Sequence, residues 1–130
     1  MTHNEKELLL KDLCARLPHG VKVEYKSIGC EVLSIDRFHE ELTIWICPGY
    51  YPDVKLEDVK PYLFPLSSMT EEQKKELDNL VEETVFQILH SEDGNPQPQI
   101  AMDFYNKYHF DYRGLIPMVL ANDATGLNIY

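Results

Sequence analysis

From Asn4 to about Leu17 the apolar positions Leu9, Leu13 and Leu17 recur at every fourth residue, with Leu10 and Cys14 on the adjoining edge. This spacing predicts a helix with one buried stripe. Asn4 as cap, with Glu7 at the capping-box spacing, starts it, and Leu17-Pro18-His19-Gly20 ends it. At Val21 the period shortens to two. Val21, Val23 and Tyr25 alternate with Lys22, Glu24 and Lys26, the pattern of a half-buried strand. A turn is expected at Ser27-Ile28-Gly29, then strands over Cys30–Asp36 and Leu42–Cys47 around a hairpin loop at Arg37–Glu41. Leu42, Ile44 and Ile46 point one way and Thr43, Trp45 and Cys47 the other, which predicts a central strand covered on both sides.

Pro48–Asp53 reads as a loop by its prolines and glycine, and Val54–Val59 as a short strand or one helical turn. Two prolines keep Lys60–Leu66 extended. Ser67-Ser68-Met69-Thr70 then starts a long helix, with Thr70 and Gln73, or Ser68 and Glu71, at capping-box spacing. It runs to about His90, with Leu77, Leu80, Val81, Thr84, Val85, Ile88 and Leu89 as its expected buried face. Ser91–Gln99 is a loop, Ile100–Tyr108 a short helix, and Tyr112–Leu120 a further helix with Pro117 in its first turn.

These elements predict a single α+β domain. Residues 1–20 form an N-terminal helix, 21–66 a small curved antiparallel sheet that could close as an SH3-like barrel, and 67–130 a helical part. The first or the long helix is expected to close the sheet.

The chain has 130 residues, 44% of them apolar. That is enough for one core without metal or disulfide. Its 22 Asp+Glu against 12 Lys+Arg leave a net charge of -10. Nucleic-acid backbones and anionic lipid repel such a chain unless a basic patch is set apart. The expected partner is another protein, with neither nucleic acid nor membrane. The first residues are polar and acidic rather than basic and then greasy, and no apolar run reaches the length of a membrane span. A cytoplasmic setting is expected.

Cys14, Cys30 and Cys47 stand alone at spacings that form no C-x-x-C pair, and read as buried small hydrophobes. A catalytic thiolate would require a histidine brought close by the fold. The five histidines, His3, His19, His39, His90 and His109, form no metal-binding pair, and His90 suits the end of the long helix. No nucleophile elbow or glycine-rich phosphate loop is present. Neither a catalytic set, nor a metal, nor a cofactor is expected.

Two strings remain as partner-binding candidates. Tyr50-Tyr51, held between Pro48-Gly49 and Pro52, would present large rigid rings at small entropic cost, or else pack under the sheet. In His109–Leu115, Asp111 could cap the next helix while Arg113 pairs with an acid; alternatively, Arg113 could bind an anion or a peptide carboxylate. Tyr105, Tyr108 and Tyr112 fit one helical face as core packing, and the acids of the long helix fit a solvated surface.

The strings Lys60–Gln73, His109–Ile116 and Lys6–Pro18 resemble a group of small proteins encoded by phages and mobile elements of gut anaerobic bacteria. The group has no assigned activity to carry over, so the resemblance implies a bacterial cytoplasmic setting only. The leading expectation is a non-enzymatic interaction or accessory protein. The alternatives are a small nucleic-acid-binding module using Lys22, Lys26, Lys55 and Lys60, and a cysteine- or serine-dependent hydrolase.

Overall fold

The computed structural model describes residues 1–89 and 99–130, with residues 84–89 and 99 described by their backbone. Helix α1 spans His3–Arg16. Its cap is Thr2 rather than Asn4: the Thr2 hydroxyl accepts from the Glu5 N–H at 3.1 Å and the Glu5 carboxylate accepts from the Thr2 N–H. Glu7, expected in that role, pairs with His3 instead. The buried positions are Leu9, Asp12, Leu13 and Arg16. They form one stripe at i, i+3, i+4 and i+7. Two charged residues therefore occupy the buried side, and Leu17 lies only at its margin.

The strands are β1 (Lys22–Tyr25), β2 (Ile28–Asp36), β3 (Glu41–Ile46), β4 (Gly49–Lys55), β5 (Val59–Pro65), β6 (Phe110–Asp111) and β7 (Asn122–Asp123). They make one mixed sheet in the order β4-β3-β2-β1-β5-β6, with β7 also pairing β5. The pairings among β1 to β5 are antiparallel, and β6 and β7 join β5 in parallel. No pairing links β4 back to the far end, so the sheet is open and the SH3-like closure does not occur.

Local differences from expectation have physical reasons. The β1–β2 turn falls on Lys26 and Ser27, both left-handed at φ 48° and 64°. Two consecutive positive φ values match the right-handed twist of a tight hairpin. Gly29 is thereby freed to pair with Glu24 in the ladder. Pro48–Asp53 is not a loop: after a cis Cys47–Pro48 bond, β4 begins at Gly49. An outermost strand tolerates Pro52, whose missing N–H has no ladder partner to satisfy. On β3, Leu42 and Ile44 are buried but Trp45 is 40% exposed, so the strand is covered on one side only.

Helix α2 spans Glu71–Leu89, entered through reciprocal hydrogen bonds between Thr70 and Gln73 as expected. Of its expected buried face, Thr84, Val85, Ile88 and Leu89 lie outside the residues whose side chains are described. None of its described side chains is buried; Leu77 and Leu80 are half-buried and Val81 is exposed. It lies against α3 (Gln99–Lys107), where Tyr108 donates its hydroxyl to Glu76. The expected helix at Tyr112–Leu120 is a run of turns, because Gly114 and Val119 take left-handed backbone at φ 75° and 60°. His90 and the loop expected after it fall at residues 90–98, outside the described residues.

The core is Leu9 and Leu13 of α1 set on Val23, Val32, Ile44, Val59 and Leu63 of the sheet, with Leu115, Leu120 and Ala121 filling beside them. Burying a side chain of this size is worth roughly 1.5–3 kcal/mol. The cover is thus one helix plus the returning C-terminal chain.

Candidate functional site

The two charged residues of the α1 stripe meet a third from the far end of the chain. Asp12 accepts from Arg16 Nε at 2.9 Å and from Arg113 Nη1 at 2.7 Å, one bond to each carboxylate oxygen. Arg16 is fully buried and also donates to the carbonyls of Tyr105 and Phe110. The ring of Tyr112 lies beside both guanidiniums, 4.4 Å from Arg113 and 5.4 Å from Arg16. Asp111 accepts from the N–H groups of Leu115 and Ile116, capping the turns that replace the expected helix. Arg113 is therefore bound to an acid within the fold, the pairing expected beside the anion-site alternative. The cluster ties α1 to the chain around β6.

Next to it lies a cleft of about 460 Å³ that includes Phe64, Thr70, Gln73, Tyr108, His109 and Tyr130 in its walls. His109 is buried and stacks on the Tyr130 ring at 3.8 Å, with 11° between the planes. Burial, then the positive charge of Arg16, pushes its pKa down to about 4, against a hydrogen bond with the His19 backbone. Its Nδ1 has no partner. Tyr130, its phenol pushed by burial up to about 12, accepts from the Lys22 N–H and donates to the Tyr62 carbonyl. The other polar groups of the cleft bond to their own neighbours: Ser68 to Pro65, Thr70 to Gln73, and Thr125 to Asp123. Among the described residues no hydroxyl or thiol hydrogen-bonds His109 Nδ1.

Of the three cysteines expected to be buried, Cys30 is, Cys14 is half-buried and Cys47 is exposed at the end of β3. Burial raises the Cys14 and Cys30 thiols above the ordinary range, and the Cys30 thiol donates to the Ile28 carbonyl at 3.2 Å. An activated thiol requires the opposite shift. Among the described residues no three His, Cys, Asp or Glu side chains are placed to hold a metal ion. Also among the described residues, no helix is long and apolar enough to cross a membrane.

A row of exposed aromatic side chains lies on the side of the sheet away from the core. Glu31, Trp45 and Tyr50 are successive register partners across β2, β3 and β4, so they project to one face. Tyr50 is 67% exposed, and Leu33, in the β2 bulge beside them, is 46% exposed. Tyr51 pairs with Ile44 and therefore stands on the opposite face, at the sheet margin. The candidate pair is thus split, and only Tyr50 belongs to this row. Over β1 and β5 the same outer face is occupied by the C-terminal chain: Ile129 lies against Gly29, and Lys22 donates to the Ile129 carbonyl. Beyond Gly29, no described residue is shown covering it over β2 to β4. At the tip of the β2–β3 loop, Phe38 is 90% exposed above a turn that Asp36 holds by accepting from the Phe38 and His39 N–H groups.

Sequence reasoning pointed to Tyr50 and missed Trp45, Leu33 and Glu31. Trp45 was assigned to a covered face, although its alternation with Ile44 and Ile46 already separated it from the core side. Asp12 and Arg16 were missed as well. Their spacing from Leu9 and Leu13 was the available signal, since it places them on the buried stripe.

No family model matches the chain, and neither the curated proteins nor the solved structures contain a match to it.

Proposed function

We propose that this chain is a non-enzymatic interaction or accessory protein of a bacterial phage or mobile element, working in the cytoplasm, and that it docks a partner protein on the outer face of β2–β4. One observation carries the reading. Trp45 and Tyr50 are register partners, 40% and 67% exposed, on adjacent strands, while the adjoining part of the same face is covered by Ile129 and Tyr130. Large aromatic side chains on rigid backbone are the usual anchors of protein interfaces. Contiguous exposed apolar surface of this kind marks an interaction site more often than an accident of folding.

The nucleic-acid alternative has less support. Lys55 is bound to Glu41, Lys22 to the Ile129 carbonyl, Lys26 lies over the Tyr25 ring, and Lys60 stands opposite Glu24. These cations are dispersed and compensated rather than gathered into a stripe. For the cysteine form of the hydrolase alternative, burial raises the Cys30 thiol rather than activating it.

A photo-crosslinking residue placed at Tyr50 in cells is expected to give discrete protein adducts that Trp45→Ala abolishes. The same residue at Asp78, on the exposed side of α2, serves as the control. Adducts no stronger at position 50 than at position 78 would refute the docking reading.

A further inference from the structure

The outer face of β2 to β4 carries a charge pattern that selects its occupant. By strand register the face carries Glu31, Asp36 and Glu41 against Lys55, and Asp36 is paired with His39. Lys55 is already bound to Glu41. Within the aromatic row itself, Glu31 is the register partner of Trp45, and Trp45 of Tyr50. Such partners stand about 5 Å apart at Cβ. Glu31 makes no ion pair among the described residues, since its other neighbour, Lys22, donates its Nζ to the Ile129 carbonyl at 2.8 Å.

An unpaired carboxylate next to an indole and a phenol is a receptor for a guanidinium. The ring faces attract the cation, and the carboxylate accepts from its N–H fork. A lysine ammonium satisfies the charge but lacks the planar fork that stacks and pairs at once.

Resting on the docking reading above, we infer that the occupant is a basic segment of a partner protein, with an arginine stacked on Trp45 and paired to Glu31. A second copy of this chain, at net charge -10, brings the wrong sign. The partner reads the face rather than lengthening the sheet. Pro52 and the left-handed Asp53, at φ 61°, interrupt β4 and blunt its free edge.

Trp45 is the sole tryptophan, so indole emission reports on this face directly. The probes are octapeptides alternating arginine with serine, lysine with serine, and glutamate with serine, titrated at low salt into the intact protein. The arginine peptide is expected to give a saturable change, the lysine peptide a weaker one, and the glutamate peptide none. Glu31→Gln, with its circular dichroism unchanged, is expected to weaken the arginine peptide about tenfold, the scale of one charge-assisted hydrogen bond. Equal binding by wild type and Glu31→Gln would overturn the inference. So would a response to the glutamate peptide, or a concentration-dependent dimer in sedimentation that Trp45→Ala abolishes. Discrete adducts at position 50 without any response to the arginine peptide would discard the basic partner and keep the docking face. Loss of both would discard both.

Discussion

Under α1, the sheet is finished as an interior. Leu9 and Leu13 meet Val23, Val32 and Ile44, and even the charges there are enclosed and answered, with Asp12 held between Arg16 and Arg113. On the opposite face of the same strands, Trp45 and Tyr50 stand in solvent beside a carboxylate with no ion-pair partner among the described residues. The strands are identical in both cases; what differs is the cover. The docking proposed above is to the face that lacks one.

The comparison breaks first at Asp12. Asp12→Ala removes the carboxylate between two guanidiniums, leaving Arg16 buried without its acid. Breaking a buried pair in this way costs about 3–5 kcal/mol. For a chain of this size that lowers the thermal midpoint by on the order of 10 °C or more, read by calorimetry. A loss under about 1 kcal/mol would mean that the cluster contributes little to the enclosed face.

A smaller effect concerns His109, at the boundary between the two covers. Its folded pKa, near 4, lies below the ordinary value of 6.5. Below pH 6.5 the unfolded chain therefore takes up a proton that the folded chain refuses until about pH 4. Stability from this group is complete above pH 6.5, falls as pH drops to about 4, and then levels. The full loss is about 3 kcal/mol. Denaturant midpoints of wild type and His109→Phe, compared at pH 7 and pH 4.5, should show the wild type losing more.

The smallest expected effect sharpens the contrast. Trp45→Ser with Tyr50→Ser should cost less than about 2 kcal/mol together, because Tyr50 is 67% exposed and Trp45, at 40%, is only partly covered in the folded chain. Urea denaturation measures it. A loss above about 2 kcal/mol for the double variant would show that these rings support the sheet and do not wait for a partner.

Much of the fold was legible because local pattern decided it. The alternation at Val21–Tyr25, the Thr70–Gln73 cap and the extended Lys60–Leu66 segment all follow from neighbours in the chain. The failures came where distant residues decided. Asp12 and Arg16 look like surface charges until Arg113, about a hundred positions away, joins them. Turn residues at Lys26 and Ser27 gave no glycine signal, and Pro48 and Pro52 suggested a loop because a proline on an outermost strand resembles one in a turn. The apolar stripe of α2 announced a buried helix, yet which surface an amphipathic helix meets is set by topology, and the C-terminal return had already filled the sheet's inner face. For the candidate site, Tyr50 was named from its loop-like setting, whereas its row with Trp45 and Glu31 required the strand register.

The pairing of β5 has a consequence for how the chain is made. Val59–Pro65 takes partners from residues 22–25, 110–111 and 122–123. During synthesis, the hairpins of β1 to β4 and the β1–β5 pairing can form as soon as they emerge, whereas β5 gains its parallel partners only once residues 110–111 and 122–123 follow. The aromatic platform therefore matures on the ribosome ahead of the body that steadies it. Ribosome-stalled chains ending near residue 100 would carry that platform on an unfinished domain, where holding factors can reach it before any intended associate does.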